Sequence, residues 1–230
     1  MDEGIQKAIT EFFFPARCIG CGKWGSFLCR ECVINLPHIE PPFCNKCGKP
    51  ESSGTFCPNC WGWQSAIDGI RSVFRFDGII RKAIHELKYY HVKAISNVMA
   101  LYLANFISEY PLSFDIIVPV PLHKNRLKQR GYNQSSLLAT ELAKIKRSPM
   151  LDDYLFRVKD SPAQARTSNV EQRKRNVVDA FICKKGELSG KCVALIDDVC
   201  TTGATLEACA KALKAAGVQS VWGLTLAREI

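Results

Sequence analysis

The sequence predicts an α/β protein: a doubly wound, mainly parallel sheet with a small cysteine-rich domain at its N-terminal end. Three observations lead there. From residue 70 onward, apolar runs of strand length alternate with segments of helical period, the pattern of a sheet covered by helices on both faces. One such run, Val193-Ala-Leu-Ile196, is followed by two carboxylates, Asp197 and Asp198, and by a small-residue turn, Thr201-Thr-Gly-Ala-Thr205. A loop at the carboxyl end of such a strand is where open α/β sheets bind ligands. Finally, eight of the twelve cysteines fall in four C-x-x-C pairs between residues 18 and 60. The expected division is residues 1–68 for the cysteine-rich domain and 69–230 for the sheet domain.

Length and charge narrow the function. With 230 residues and 47% hydrophobic content the chain buries a real core, and its formal net charge of +9 favours polyanionic partners, phosphorylated substrates or nucleic acid. No apolar run approaches about 18 residues, so no membrane insertion is expected. Met1-Asp-Glu-Gly4 lacks a signal-peptide pattern. The expected location is cytoplasmic, where cysteines serve metals before disulfides.

The cysteine pairs come first along the chain. Cys18/Cys21, Cys29/Cys32, Cys44/Cys47 and Cys57/Cys60 supply the thiolates of two tetrahedral structural zinc sites. Cys18-Ile-Gly-Cys-Gly-Lys and Cys44-Asn-Lys-Cys-Gly-Lys repeat each other. The repeat favours two consecutive zinc ribbons, although a cross-braced pairing uses the same eight ligands. Little else in this segment builds a core, so zinc is expected to supply its folding energy. Trp24, Phe27, Trp61 and Trp63 either stack bases or pack the small core and the domain interface, and packing is the commoner use. Phe12, Phe13 and Phe14 read as a hydrophobic helix end docked on the second domain.

The sheet domain follows in order. Ile70 to Phe76 is a strand, Ile79–Leu87 and Ala94–Ile107 are helices, and Phe114–Val118 is the next strand, closed by the prolines of Pro119-Val-Pro121. The turn then carries Lys124, Arg126, Lys128 and Arg130 with no acid between, either a solvated basic face or, from its place after a strand of the same sheet, a pyrophosphate site. Gly131-Tyr-Asn-Gln134 opens a helix to about Ile145. Tyr154–Val158 is a short strand. Residues 160–178 have no strong period and carry Arg166, Arg173, Lys174 and Arg175, the composition of a lid over a charged ligand. Ala180–Cys183 and Ser220–Ala227 are strands, and the helix after the acidic pair ends near Gly217. Cys183, Cys192, Cys200 and Cys209 have no ligand spacing and read as core or incidental residues.

The acidic pair gives the loop its chemistry. Amide groups of the loop and of the helix N-terminus suit a phosphate. Carboxylates repel phosphate but accept from sugar hydroxyls or ligate magnesium. A ribose 5-phosphate satisfies both halves.

The stretch Val193–Thr205 resembles the PRPP-binding loop of type I phosphoribosyltransferases. The whole chain resembles the ComF family, also described as competence protein F or amidophosphoribosyltransferase-like. The marks are the cysteine-rich head, Phe114-Asp-Ile-Ile-Val-Pro-Val-Pro-Leu-His123, Arg130-Gly-Tyr-Asn-Gln134, Arg166-Thr167 with Gln172, Arg175-Asn176, Ala180-Phe181 and Leu195-Ile-Asp-Asp-Val-Cys-Thr-Thr-Gly-Ala-Thr205. The resemblance implies a double zinc ribbon on a type I phosphoribosyltransferase fold, with PRPP and magnesium as ligands and a role in DNA uptake and natural transformation. Its implied partners are single-stranded DNA and uptake proteins such as a helicase. In a transferase of this kind Asp197 and Asp198 hold the ribose hydroxyls and are the catalytic pair. Thr201, Thr202, Gly203, Ala204 and Thr205 hold the 5-phosphate. Arg126 and Arg130 stabilise departing pyrophosphate, and Arg166, Arg173 and Arg175 close from the lid. The acceptor is not written in the sequence. Two other classes compete: a non-catalytic DNA-handling adaptor that keeps the PRPP site as a sensor, and a purely structural partner of the uptake machinery. The intact acidic pair and loop argue against the last.

Overall fold

A computed structural model describes residues 16–89, 94–159 and 179–230. The elements run α1 (Arg30–Ile34), β1 (Gly69–Arg75), α2 (Gly78–Tyr89), α3 (Ile95–Glu109), β2 (Ile116–Pro119), α4 (Lys124–Arg130), α5 (Gln134–Lys146), β3 (Leu155–Arg157), β4 (Phe181–Cys183), β5 (Cys192–Cys200), α6 (Ala204–Ala215) and β6 (Ser220–Arg228). Four strands form one parallel sheet in the order β1-β6-β5-β2. β3 and β4 pair antiparallel beside it as a separate two-stranded sheet.

The alternation of side chains along β5 explains the layers. Ala194 and Ile196 join the core formed with Ile80, Ile84, Met99, Leu103 and Leu138 of α2, α3 and α5. Val193 and Leu195 point the other way, onto Leu206, Ala210 and Leu213 of α6 and Leu155 of β3. A strand with apolar residues at successive positions needs cover on both faces, and truncating Leu195 to Ala would cost about 2–5 kcal/mol.

Two local features differ from the expected pattern. β5 does not stop at Ile196 but continues through Asp197 and Asp198 to Cys200, paired with β6 as far as Arg228. Burial of the two acids is tolerated because each finds donors across the sheet edge. The basic segment after β2 is not an open turn: Lys124–Arg130 is a helix. The His123 Nδ1 accepts from the Asn125 amide at 3.3 Å, and Gly131 closes the helix at φ 79°, a left-handed conformation that glycine adopts without strain.

The head forms two consecutive clusters, Cys18/Cys21/Cys29/Cys32 and Cys44/Cys47/Cys57/Cys60, with the sulfurs of each within 4.8 Å of one another. The cross-braced alternative is not the arrangement found. The internal repeat is also a structural one. The Cys18 and Cys44 amides donate to the Lys23 and Lys49 carbonyls, at 2.8 and 2.7 Å. The Cys29 and Cys57 amides point at the Cys18 and Cys44 sulfurs, at 3.4 and 3.3 Å. The expected docking of Phe12–Phe14 lies outside the described residues. The packing use of the ribbon aromatics holds for Phe27, which joins the core. It does not hold for Trp24 and Trp61, which are 59% and 76% exposed.

Candidate functional site

The site is assembled around the end of β5 by the segment that joins α4 to α5. Every residue of Arg130-Gly-Tyr-Asn-Gln134 has a structural task. Arg130 donates to Gln134 Oε1. Gly131 caps α4. The buried Tyr132 hydroxyl donates to the carbonyl of Leu87, in the last turn of α2. Asn133 caps α5 by accepting from the Ser135 amide at 3.1 Å, and its amide group donates to the Val120 carbonyl at 2.9 Å. The first turn of α5 is thereby held against the end of β2. From there Gln134 Nε2 reaches Asp198 Oδ1 at 3.2 Å and Ser135 Oγ reaches Asp197 Oδ1 at 2.9 Å. Lys88, one residue beyond the Tyr132 anchor, forms an ion pair with Asp198 Oδ2.

The two carboxyl groups are adjacent, buried and differently charged in preference. Asp197 is 9% exposed and Asp198 3%. Burial, then the negative charge of Asp198, pushes the Asp197 carboxyl up to about 7, against the opposing Ser135 hydrogen bond. Burial also acts to raise Asp198. There the Lys88 charge and the hydrogen bonds from Lys88 and Gln134 prevail and hold it below the usual carboxylate range. Environments that separate two neighbouring acids in this way occur at reactive sites.

The loop Thr201–Thr205 follows directly. Thr201, Thr202, Ala204 and Thr205 are half-buried and Gly203 is buried. Gly203 stands at φ 80° immediately before α6, and the Thr202 hydroxyl accepts from the Ala204 amide at 3.3 Å. Glu207, in the first turn of α6, accepts the Ala66 and Ile67 amides at 3.0 and 3.2 Å. The chain arriving from the head is thus fastened beside the loop. A cleft of about 510 Å³ runs from Thr202–Ala204 along α6 to Trp63. It does not include the acidic pair, and the hydrogen-bonded convergence on Asp197 and Asp198 is the more informative feature.

Of the residues singled out in the sequence, Asp197, Asp198 and Thr201–Thr205 lie together at the end of β5 and the start of α6, and Arg130 reaches the acidic pair through Gln134. Arg126 lies on α4, half-buried. Arg166, Arg173 and Arg175 lie outside the described residues. Sequence reasoning missed Lys88 and Ser135. Lys88 ends a helical stretch as many surface lysines do, and only its tether through Tyr132 marks it out. Ser135 directly follows the quoted motif, and its place in the first turn of a capped helix was the available signal.

Comparison with known proteins agrees with this architecture. Residues 9–61 match the double zinc ribbon domain family and residues 88–229 the phosphoribosyl transferase domain family. "Competence protein F" of Haemophilus influenzae is 32% identical over 231 residues, covering 94% of this chain and 99% of that protein. The chain belongs to the ComF family. Another relative, "Competence protein ComFC" of Bacillus subtilis, is 29% identical over 88% of this chain and 84% of its own. "DNA utilization protein YhgH" of Escherichia coli is 27% identical over 92% and 94%. The double zinc ribbon and the type I phosphoribosyltransferase fold are therefore family features of this ComF chain. Its two four-cysteine clusters have the composition and spacing of structural zinc sites. Among the described residues, no helix is long and apolar enough to cross a membrane.

Proposed function

We propose that this ComF protein binds the ribose 5-phosphate end of PRPP and acts as a phosphoribosyltransferase serving the handling of imported DNA in the cytoplasm. The observation that carries the reading is the convergence of Lys88, Gln134 and Ser135 on Asp197 and Asp198, directly before a glycine-capped helix N-terminus. Amides of the loop suit the 5-phosphate. The acids suit the ribose hydroxyls, and sugar binding exchanges the Lys88 ammonium on Asp198 for hydroxyl donors. Carboxylate oxygens also fit magnesium, which would accompany PRPP and neutralise its pyrophosphate. As the bond from ribose C1 to pyrophosphate breaks, positive charge grows on the sugar, and two buried carboxylates beneath it stabilise that charge. Arg126 and Arg130 are the candidate pyrophosphate ligands on this side. Arg166, Arg173 and Arg175, outside the described residues, are further candidates by their charge. Residues 1–68 and 69–230 are the units that divide zinc binding from phosphoribosyl chemistry.

The test begins with melting temperature. PRPP with magnesium should raise that of the wild type, since a ligand of the folded state stabilises it, and should leave the Asp197→Asn/Asp198→Asn double variant unmoved. An equal shift in the double variant places the sugar elsewhere. Pyrophosphate release in the presence of candidate acceptors then separates a transferase from a sensor.

One observation favours a second reading, a single-stranded-DNA adaptor. Trp24 and Trp61 are exposed, and Arg17 stacks on Trp24 at 3.7 Å, a surface suited to bases and phosphates. This reading expects affinity for single-stranded DNA that falls with salt. If the basic face at Lys124–Arg130 shares the DNA, PRPP competes and Arg126→Ala weakens binding, and if the head alone binds it, PRPP has no effect.

A further inference from the structure

The second cysteine cluster reaches the phosphate loop through the sheet. Its first turn, Asn45-Lys46-Cys47-Gly48, lies on the edge of β1. The Lys46 carbonyl accepts the Ile70 amide at 2.8 Å, and a Cβ on Gly48 would lie 2.3 Å from the Ile70 carbonyl oxygen. The carbonyl of Cys47, itself a metal-ligand residue, accepts from the Arg228 guanidinium. Arg228 is 2% exposed and ends β6 opposite Cys200, from which the loop departs. The Cys200 carbonyl accepts the Glu229 amide at 3.0 Å. Ile70 completes the path: its Cδ1 lies 3.2 Å from where a Gly203 side chain would begin. One metal-binding turn therefore touches both supports of the loop, Ile70 under Gly203 and Arg228 beside Cys200.

Charge supports the same path. Four thiolates around a divalent cation leave a net charge of about −2. A buried guanidinium needs acceptors and opposite charge, or it destabilises the fold. At the second cluster Arg228 finds an acceptor in the Cys47 carbonyl and opposite charge in the thiolates, while its buried Nε has no hydrogen-bond partner. Arg71 donates to the Asn45 carbonyl in the same turn at 3.2 Å. At the first cluster the basic residues of the ribbon, Arg17, Lys23 and Arg30, are all exposed.

We propose that Arg228 is a positioning residue that couples the second metal-binding turn to the phosphate loop, so that metal at Cys44/Cys47/Cys57/Cys60 tightens the binding of a sugar phosphate and metal at the first cluster does not. This rests on the phosphoribosyl reading of the loop. Coupling between two binding sites is reciprocal: the sugar phosphate must also tighten the second metal.

The experiment uses the full chain with two zinc ions bound and ribose 5-phosphate as the probe. By calorimetry, Arg228→Met should retain both zinc ions and bind ribose 5-phosphate about tenfold or more weakly than wild type. Arg228→Lys, which keeps a donor and a charge, should recover part of the loss. Gly48→Ala, which drives the turn away from Ile70, should reproduce it. Chelator titration of the wild type gives a readout independent of any variant's folding. Ribose 5-phosphate should raise the zinc affinity of one of the two steps and leave the other in place. If both steps move equally, or neither moves, the coupling is wrong. Full affinity in Arg228→Met with wild-type binding intact overturns the coupling alone. No binding to wild type overturns the phosphoribosyl reading and the coupling with it.

Discussion

The two cysteine clusters share one ligand pattern and one set of turn hydrogen bonds, yet they are built into the protein differently. In the first, Cys21 is exposed and Cys29 half-buried. At the cluster itself the tie to the sheet domain is apolar, with Gly20 set against Ile79 at the start of α2; the chain beyond Cys32 then meets β1 through the Ile39 amide on the Val73 carbonyl at 2.9 Å. In the second, all four cysteines are buried, and the turn is hydrogen-bonded to β1 and β6. The ligand pattern decides which metal is held. The surroundings differ: the first ribbon packs Gly20 against the start of α2, and the second is hydrogen-bonded to β1 and β6 beside the loop Thr201–Thr205.

Removing one ligand from each cluster is the largest test of that difference. A structural zinc site contributes about 10–16 kcal/mol of metal-binding free energy to folding, and the consequence depends on how much fold leans on the site. Cys57→Ser should lose one zinc ion and lower the melting temperature by about 10 °C or more, because the turn that meets Ile70 and Arg228 loosens with it. Cys21→Ser should lose one zinc ion with less than half that fall. Metal analysis beside scanning calorimetry gives both numbers, and equal falls would break the comparison.

Proton linkage sharpens it on the acidic half. The Asp197 carboxyl is pushed up to about 7 by burial and by Asp198, from an ordinary value of 3.8. Its neutral form therefore favours the folded state. That contribution is complete below about pH 4 and is lost as pH rises through about 7. Asp197→Asn keeps an oxygen for the Ser135 hydroxyl and removes the buried charge. It should melt higher than wild type near pH 8, by a few degrees, and match it near pH 4. The difference should persist in Cys21→Ser and Cys57→Ser backgrounds if the acidic half is independent of both metals. A wild-type curve no steeper than the variant's between those limits would show that Asp197 titrates normally.

How much of this was legible in the sequence follows from the distance over which each contact acts. The two four-cysteine clusters and the meeting of the acidic pair with the loop at the end of β5 were readable because each rests on short local motifs. The ends of β5 and of α4 were not. The expected strand stopped at two acids, and only the donors of Ser135, Gln134 and Lys88 make their burial possible. The expected basic turn folds as a helix because His123 and Gly131 cap it. Arg228 was invisible. A single arginine at the end of the last strand reads as surface charge, and its partner, Cys47, lies 181 residues away. Gln134 and Asp198 are 64 residues apart, and no spacing rule joins them. Local motifs carried the chemistry, and long-range hydrogen bonds carried its placement.

The smallest effect concerns the basic residues that flank each ribbon. Lys23 and Glu31 of the first ribbon form an ion pair at 2.7 Å, with side chains 60% and 73% exposed. Water and salt screen such a pair, and holding two long side chains together offsets its attraction. Lys23→Met should leave the melting temperature unchanged within error, at low and at high salt. Arg71, beside the second ribbon, is placed differently. Its guanidinium lies over the Trp222 ring at 5.0 Å and the Phe43 ring at 5.8 Å, and it donates to the Asn45 and Ile70 carbonyls at 3.2 and 2.9 Å. A planar fork shared between carbonyls and aromatic faces is not replaced by an ammonium. Arg71→Met should cost about 1 kcal/mol, and Arg71→Lys should recover little of it. If instead Lys23→Met costs as much as Arg71→Met, the two ribbons are fastened by the same kind of contact. The contrast between an apolar, partly exposed first ribbon and a hydrogen-bonded, buried second one would then lose its energetic basis.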